Sequence, residues 1–140
     1  MKKTGVGLAS YGMSGQVFHA PLLQMHPGFE ILSIFERSKS LSASRYSEAK
    51  IVRAYDELLS DDKIELVIVN TPDPLHYDMC RQALQAGKHV VVEKPFVQEP
   101  ASGQELIDLA KRQGLLLSVF HNRRWDGDFL TIRKILEEGL

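Results

Sequence analysis

The stretch Thr4-Gly5-Val6-Gly7-Leu8-Ala9-Ser10-Tyr11-Gly12-Met13-Ser14-Gly15 decides the fold. Thr4 to Ala9 reads as a short strand, and the glycine-rich loop Ser10 to Gly15 leads into a helix of about Gly15 to Met25. The loop has the spacing of a dinucleotide fingerprint, with Ser10 standing where the first glycine is usual. Glycine at 12 lets the backbone approach a pyrophosphate, and glycine at 15 lets helix and strand pack closely. The helix start adds free amides, which stabilise an anion by about 0.3–1 kcal/mol per favourable charge. An ordinary strand-to-helix turn is the alternative, and the strand before it and the acidic residue after the next strand favour the dinucleotide. Pro21 lies inside the helical stretch and is expected to kink or split it, because proline removes a donor and crowds the preceding turn.

Working outward, apolar runs alternate with helical ones to the end of the chain. Strands are predicted at about Phe29 to Phe35, Ile51 to Ala54, Leu66 to Val69, His89 to Val92 and Leu115 to Phe120. Between them, helical spacing is read at Ser38 to Tyr46, Asp56 to Leu59, Leu75 to Ala86 and Ala101 to Gln113, the last two stopped by Gly87 and Gly114. A last helix is predicted near Phe129 to Glu138. This order predicts an α/β fold, a Rossmann-type doubly wound, mostly parallel sheet with helices on both faces. Ligands of such sheets bind beyond the carboxyl ends of the strands, and the polar motifs fall there.

Glu36 ends the second strand about twenty residues past Gly15, where a carboxylate can accept from ribose hydroxyls and favour NAD. Arg37 and Ser38 follow at once, and an arginine there can pair with the 2′-phosphate of NADP. Both cofactors stay open. Asn70, Thr71 and Pro72 close the fourth strand and are expected to shape the cofactor wall. For His76, a capping or packing role stands level with ligand contact. Glu93-Lys94-Pro95 ends the fifth strand, where a lysine is an odd choice unless its ammonium reaches a polar cleft. Lys94 is the candidate catalytic residue, hydrogen-bonding a substrate hydroxyl and stabilising alkoxide character as hydride leaves. Asn122, Arg124 and Trp125 belong to the polar and aromatic run His121 to Asp126, read as a cofactor or inter-domain segment. The cofactor-binding set is thus Ser10, Tyr11, Gly12, Met13, Ser14, Gly15, Glu36, Arg37, Ser38, Asn70, Thr71, Pro72, His76, Glu93, Lys94, Asn122, Arg124 and Trp125.

The 140 residues suit one domain, which at this size buries roughly 70% of its unfolded surface. Seventeen Lys and Arg against eighteen Asp and Glu, a net charge of -1, give no polyanion-binding surface, so no nucleic-acid partner is expected. The single cysteine, Cys80, cannot form an internal disulfide, and the five histidines show no metal-ligand spacing with it, so no metal is assigned. No signal sequence or membrane span is read, and the chain is expected in the cytoplasm without a membrane partner.

Together these motifs resemble the Gfo/Idh/MocA family of oxidoreductases, in its scyllo-inositol dehydrogenase-like branch, over nearly the whole chain. The resemblance rests on Tyr11 to Gly15 followed by Val17-Phe18-His19-Ala20-Pro21, on Thr71-Pro72 with His76, on Glu93-Lys94-Pro95, and on Leu117 to Asp126. It implies a two-domain enzyme passing hydride between NADP or NAD and a secondary alcohol of an inositol, sugar or related polyol, and a homo-oligomer at full length. It also implies substrate contact by Lys94 near the nicotinamide and a cis peptide before Pro95. Residues 1–122 would be the dinucleotide-binding domain, and 123–140 the start of a connection to a substrate domain absent from this chain. The family's catalytic histidine and aspartate lie in that second domain, so the chain alone is expected to be weak or inactive. A second reading is a non-catalytic dinucleotide-sensing module acting through protein contacts.

Overall fold

The computed structural model describes residues 2–139. Strands β1 (Thr4–Leu8), β2 (Phe29–Phe35), β3 (Lys50–Val52), β4 (Leu66–Val69), β5 (His89–Val92) and β6 (Leu117–Val119) form one sheet. Their order is β3-β2-β1-β4-β5-β6 and every pairing is parallel. The doubly wound expectation is met. Chain order reverses direction between β1 and β4, which opens the crevice beyond their carboxyl ends where such sheets take ligands.

Alternation along the inner strands places two cores, one on each face. Val67 and Val69 of β4 and Val90 and Val92 of β5 pack against Cys80, Ala83 and Leu84 of α3 (His76–Gln85) and Leu106 and Ala110 of α4 (Pro100–Gln113). Ile68 and Val91 face the other way, joining Val6, Leu8, Ile34 and Ala20. These strands are apolar throughout because both faces are covered. In β1 the glycines serve the first face: a Cβ on Gly7 would lie 2.7 Å from the Leu58 side chain of α2 (Tyr55–Leu59), so glycine there lets α2 sit close.

Gly87 ends α3 in a left-handed conformation, φ 75°, with its N–H on Leu84 O and Lys88 N–H on Ala83 O. That pair of bonds satisfies carbonyls the helix leaves free, and only glycine adopts this φ without strain. Gly114 repeats the arrangement after α4.

One expectation is refined and one corrected. At Pro21 the helical stretch changes type: Gly15–His19 forms a π turn, closed by Ala20 N–H on Gly15 O, and gives way to α1 (Ala20–Met25). The wider turn absorbs the missing proline donor. Ser38 to Tyr46 is not a helix but a run of turns, with Ala43 N–H on Ser40 O and Tyr46 N–H on Ser42 O. Serines compete with helical bonding through their own hydroxyls, and the amides of Leu41 and Ser42 are taken by the Glu36 carboxylate.

After β6 the chain makes a 3₁₀ turn, Asn122–Trp125, and ends in α5 (Gly127–Glu138), which buries none of its residues. Phe129, Ile132, Ile135 and Leu136 of α5 are exposed.

Candidate functional site

The strand-end loops meet at one edge of the sheet and wall two cavities. The smaller, about 460 Å³, lies between the loops after β1, β2 and β4 and is lined by Gly12, Arg37, Ser38, Lys39, Thr71 and Pro72 among others. The larger, about 1130 Å³, runs from Met13 and Ser14 past Glu93 and Lys94 to Asn122, Arg124 and Phe129.

The β1 loop is built for a close approach. Ser10 Oγ accepts the Gly12 N–H at 3.1 Å, so the serine ties the turn in the position where glycine is usual. Gln16 N–H bonds Gly12 O at 3.0 Å, the first helical bond, and the amides of Met13, Ser14 and Gly15 precede it. A Cβ on Gly15 would fall 2.8 Å from Ser10 O and 2.9 Å from Asn70 Nδ2, whereas one on Gly12 would meet only Ser10 Oγ, at 3.4 Å. Gly15 is therefore demanded by the protein's own packing. Gly12 is not, and its open side is room for a ligand.

Asn70 donates Nδ2–H to Ser10 O at 2.9 Å, while its buried Oδ1 and the buried Thr71 Oγ1 have no partner. Unsatisfied buried oxygens are costly, and here they sit at the end of β4 beside the glycine loop, so a ligand rich in hydroxyl donors fits them. With the uncluttered Gly12 face and the helix start, these residues suit a dinucleotide.

Glu36 is turned inward. Its Oε2 accepts the Leu41 N–H at 2.9 Å, and its Oε1 accepts the Ser42 N–H at 3.0 Å and hydroxyl at 2.6 Å. Burial alone would raise this carboxyl, but the Ser42 and Leu41 bonds and the Arg53 charge outweigh it and hold Glu36 below the usual range. Both of its oxygens are engaged by the loop. Arg37, Ser38 and Lys39 are exposed along the cavity rim.

Glu93 and Lys94 are organised from the first helix. His19, four residues past Gly15, places Nε2 2.9 Å from Glu93 Oε1, and Glu93 Oε2 accepts the Lys94 N–H at 3.1 Å. His19 is buried, its ring 4.4 Å from that of Phe120. Burial lowers its pKa against the opposing pull of Glu93, so the contact is a neutral N–H donating to a carboxylate rather than a full ion pair. The Lys94-Pro95 peptide is cis, as the resemblance implies. Lys94 is exposed on the larger cavity.

Of the other candidates, Tyr11 borders the smaller cavity, whereas His76 and Trp125 border neither. Tyr11 is buried, edge-on to Tyr46 with ring centres 5.9 Å apart. His76 is also buried, its Nδ1 2.8 Å from Pro95 O and its Nε2 2.8 Å from Thr71 O. It braces the β4 and β5 loops against each other. Trp125 is 72% exposed, outside both cavity walls, with the Arg124 guanidinium 6.0 Å from its ring centre. Asn122 and Arg124 do line the larger cavity.

Sequence reading gave no role to His19, Lys39 or Arg53. The helical offset of His19 from the glycine loop was the one available signal. Burial pushes the Cys80 thiol up to about 12, which keeps it protonated. Among the described residues no group of three or more His, Cys, Asp or Glu is placed to hold a metal, and no helix is long and apolar enough to cross a membrane.

Comparison with known proteins gives the same architecture. Residues 4–121 match the family described as an oxidoreductase family with an NAD-binding Rossmann fold. The chain is similar to scyllo-inositol 2-dehydrogenase (NADP(+)) IolW of Bacillus subtilis, 46% identical over 134 residues, which cover 96% of this chain and 37% of that protein. It superposes on the crystal structure of an oxidoreductase from Bacteroides fragilis with TM-score 0.92 and 56% identity, over all of this chain and 44% of the other. KijD10, a 3-ketoreductase from Actinomadura kijaniata solved with NADP and TDP-benzene, matches with TM-score 0.92 and 27% identity over 99% of this chain and 43% of its own. The chain thus spans less than half the length of each.

Proposed function

We propose, because this chain belongs to the Gfo/Idh/MocA oxidoreductase family with its NAD(P)-binding Rossmann fold, that it is the cofactor-binding half of an enzyme oxidising a secondary alcohol of an inositol, sugar or related polyol. One observation carries the reading. The start of the glycine-loop helix, at Met13 and Ser14, and the Lys94 ammonium arm wall the same 1130 Å³ cavity. A dinucleotide anchored at that helix start would have its reactive end within the cavity that Lys94 borders.

A nicotinamide held there would supply the hydride acceptor. The amides that precede the first helical bond would hold the pyrophosphate, and Thr71 Oγ1 on the smaller cavity, with Asn70 Oδ1 beside it, would accept from sugar hydroxyls. Lys94 would donate a hydrogen bond to the substrate oxygen and stabilise the negative charge that grows there as the hydroxyl proton passes to a base of the substrate domain. His19 and Glu93 hold the Lys94 backbone in place for that contact.

NADP is the favoured dinucleotide. The Glu36 carboxylate that would accept from an unphosphorylated ribose lines the smaller cavity but is engaged by Leu41 and Ser42, while two cations and a hydroxyl, Arg37, Lys39 and Ser38, line it alongside. The similar Bacillus protein is named for NADP(+), and the Actinomadura enzyme was solved with NADP. In this reading residues 1–122 are the dinucleotide-binding domain and 123–140 start the connection to a substrate domain; the exposed apolar side chains of α5 (Gly127–Glu138) support it.

The test is Lys94→Met in the protein joined to its substrate domain. Turnover should fall by roughly 10²–10³-fold, the usual range for loss of one donor aimed at a developing oxyanion, with NADPH affinity changed less than about threefold. An unchanged rate would remove Lys94 from the chemistry.

A further inference from the structure

Between β2 and β3 the chain runs through residues 36–42 with neither helix nor strand, so its backbone groups must find partners elsewhere. Two charged side chains supply them from opposite ends. The Glu36 carboxylate takes the N–H groups of Leu41 and Ser42. Arg53, one residue past β3, takes carbonyls: its Nη1 donates to Glu36 O at 2.6 Å and to Lys39 O, and its Nη2 donates to Ser40 Oγ at 2.8 Å. The position of Arg53 follows from sheet register, since Phe35 pairs with Val52 and the Glu36 N–H bonds Val52 O at 3.1 Å.

One nitrogen therefore gathers two carbonyls three residues apart, which closes the segment into a bend. The residues spanned by that bend are Arg37, Ser38 and Lys39, and all three line the 460 Å³ cavity, whereas Arg53 does not. The cavity rim carries two cations and a hydroxyl, and the Glu36 carboxylate in the same lining is engaged by Leu41 and Ser42.

We infer that Arg53 is a positioning residue for dinucleotide selectivity: by clamping the carbonyls of Glu36 and Lys39 it presents Arg37, Ser38 and Lys39 to the 2′-phosphomonoester of NADP. The inference rests on the NADP reading above. A planar guanidinium serves two carbonyls and a hydroxyl at once, which a lysine ammonium on a flexible stem does not reproduce. An unclamped loop would populate the phosphate-ready bend only part of the time, and apparent affinity falls by that fraction. NADH, with no phosphate at this position, would be insensitive to the bend.

The experiment is titration of the purified chain with NADPH and NADH, for wild type, Arg53→Met and Arg53→Lys, with folding checked by circular dichroism. Wild type should prefer NADPH. If the bend is populated about a tenth of the time without its clamp, Arg53→Met loses about tenfold in NADPH affinity, with NADH affinity within threefold. Arg53→Lys, which keeps the charge and the stem, should also lose selectivity and guards against a misfolded methionine variant. A wild-type preference for NADPH that survives both substitutions, or an equal loss for both cofactors, overturns the role of Arg53 alone. A wild type without NADPH preference overturns the NADP reading and the inference with it.

Discussion

Adding one methyl group at Gly12 or at Gly15 should separate ligand room from packing room. At Gly15 the new Cβ would lie 2.8 Å from a backbone oxygen, Ser10 O, and 2.9 Å from Asn70 Nδ2, which itself donates to Ser10 O. Neither atom can yield without shifting the loop or breaking that bond. Overpacking of this kind costs about 1–3 kcal/mol, and the hydrogen bond a further 0.5–1.5 kcal/mol or so. Gly15→Ala should therefore lose roughly 1.5–4.5 kcal/mol of stability in urea unfolding and bind NADPH more weakly. At Gly12 the nearest atom is Ser10 Oγ at 3.4 Å, and the glycine has no positive φ. Gly12→Ala should keep stability within about 0.5 kcal/mol, yet weaken NADPH by at least about tenfold, the equivalent of 1.4 kcal/mol, because the methyl enters the space the pyrophosphate needs. Unfolding curves and cofactor titrations on the two variants make the comparison. A Gly12→Ala chain of unchanged stability and unchanged affinity would refute the placement of the pyrophosphate.

Three further outcomes follow from particular side chains. His19 has its pKa lowered from 6.5, so the folded state holds it neutral; its contribution is full above pH 6.5 and is lost as pH falls below it toward the folded value. His19→Gln, which keeps an N–H for Glu93 but does not titrate, should flatten that part of the stability profile, and an unchanged slope would place the titration elsewhere. Glu36 is lowered from 4.5, so its stabilisation is present above that pH and lost on further acidification; Glu36→Gln should cost about 1.5–3 kcal/mol at neutral pH, the range for bonds to a charged group. Equal stability of this variant and wild type in urea would contradict the inward carboxylate. Gly87→Ala meets no atom within 4 Å but must adopt φ 75°, so chemical denaturation should show a loss of about 1–2 kcal/mol from the backbone alone, and no loss would be the contrary result.

Legibility in the sequence followed the range of the interactions involved. The bounds of β2, β4 and β5 matched the expected ones because each is an apolar run between turn residues, a wholly local signal. The stops at Gly87 and Gly114 are local as well. The segment Ser38 to Tyr46 has helical spacing, but its conformation is set by a carboxylate at its edge and by Arg53, 17 residues from Glu36. Proline at 21 signalled a disturbance, and the sequence did not show that the helix would absorb it as a π turn. At the site, the fingerprint located the loop but not the direction of each side chain: Tyr11 and Glu36 turn inward. The His19 contact with Glu93 spans 74 residues and exists only once β5 lies beside the first helix.

The most direct test of the account is an amide map of the ¹⁵N-labelled chain titrated with NADPH. Shifts should concentrate at Gly12 to Gln16, Arg37 to Lys39, Thr71 and Lys94, all at the carboxyl edge of the sheet, with Gly28, Gly87 and Gly114 at the opposite edge unmoved. Shifts at that opposite edge, or saturation with the Gly12 to Gln16 amides unchanged, would contradict the claim that this chain holds a dinucleotide across the ends of its strands.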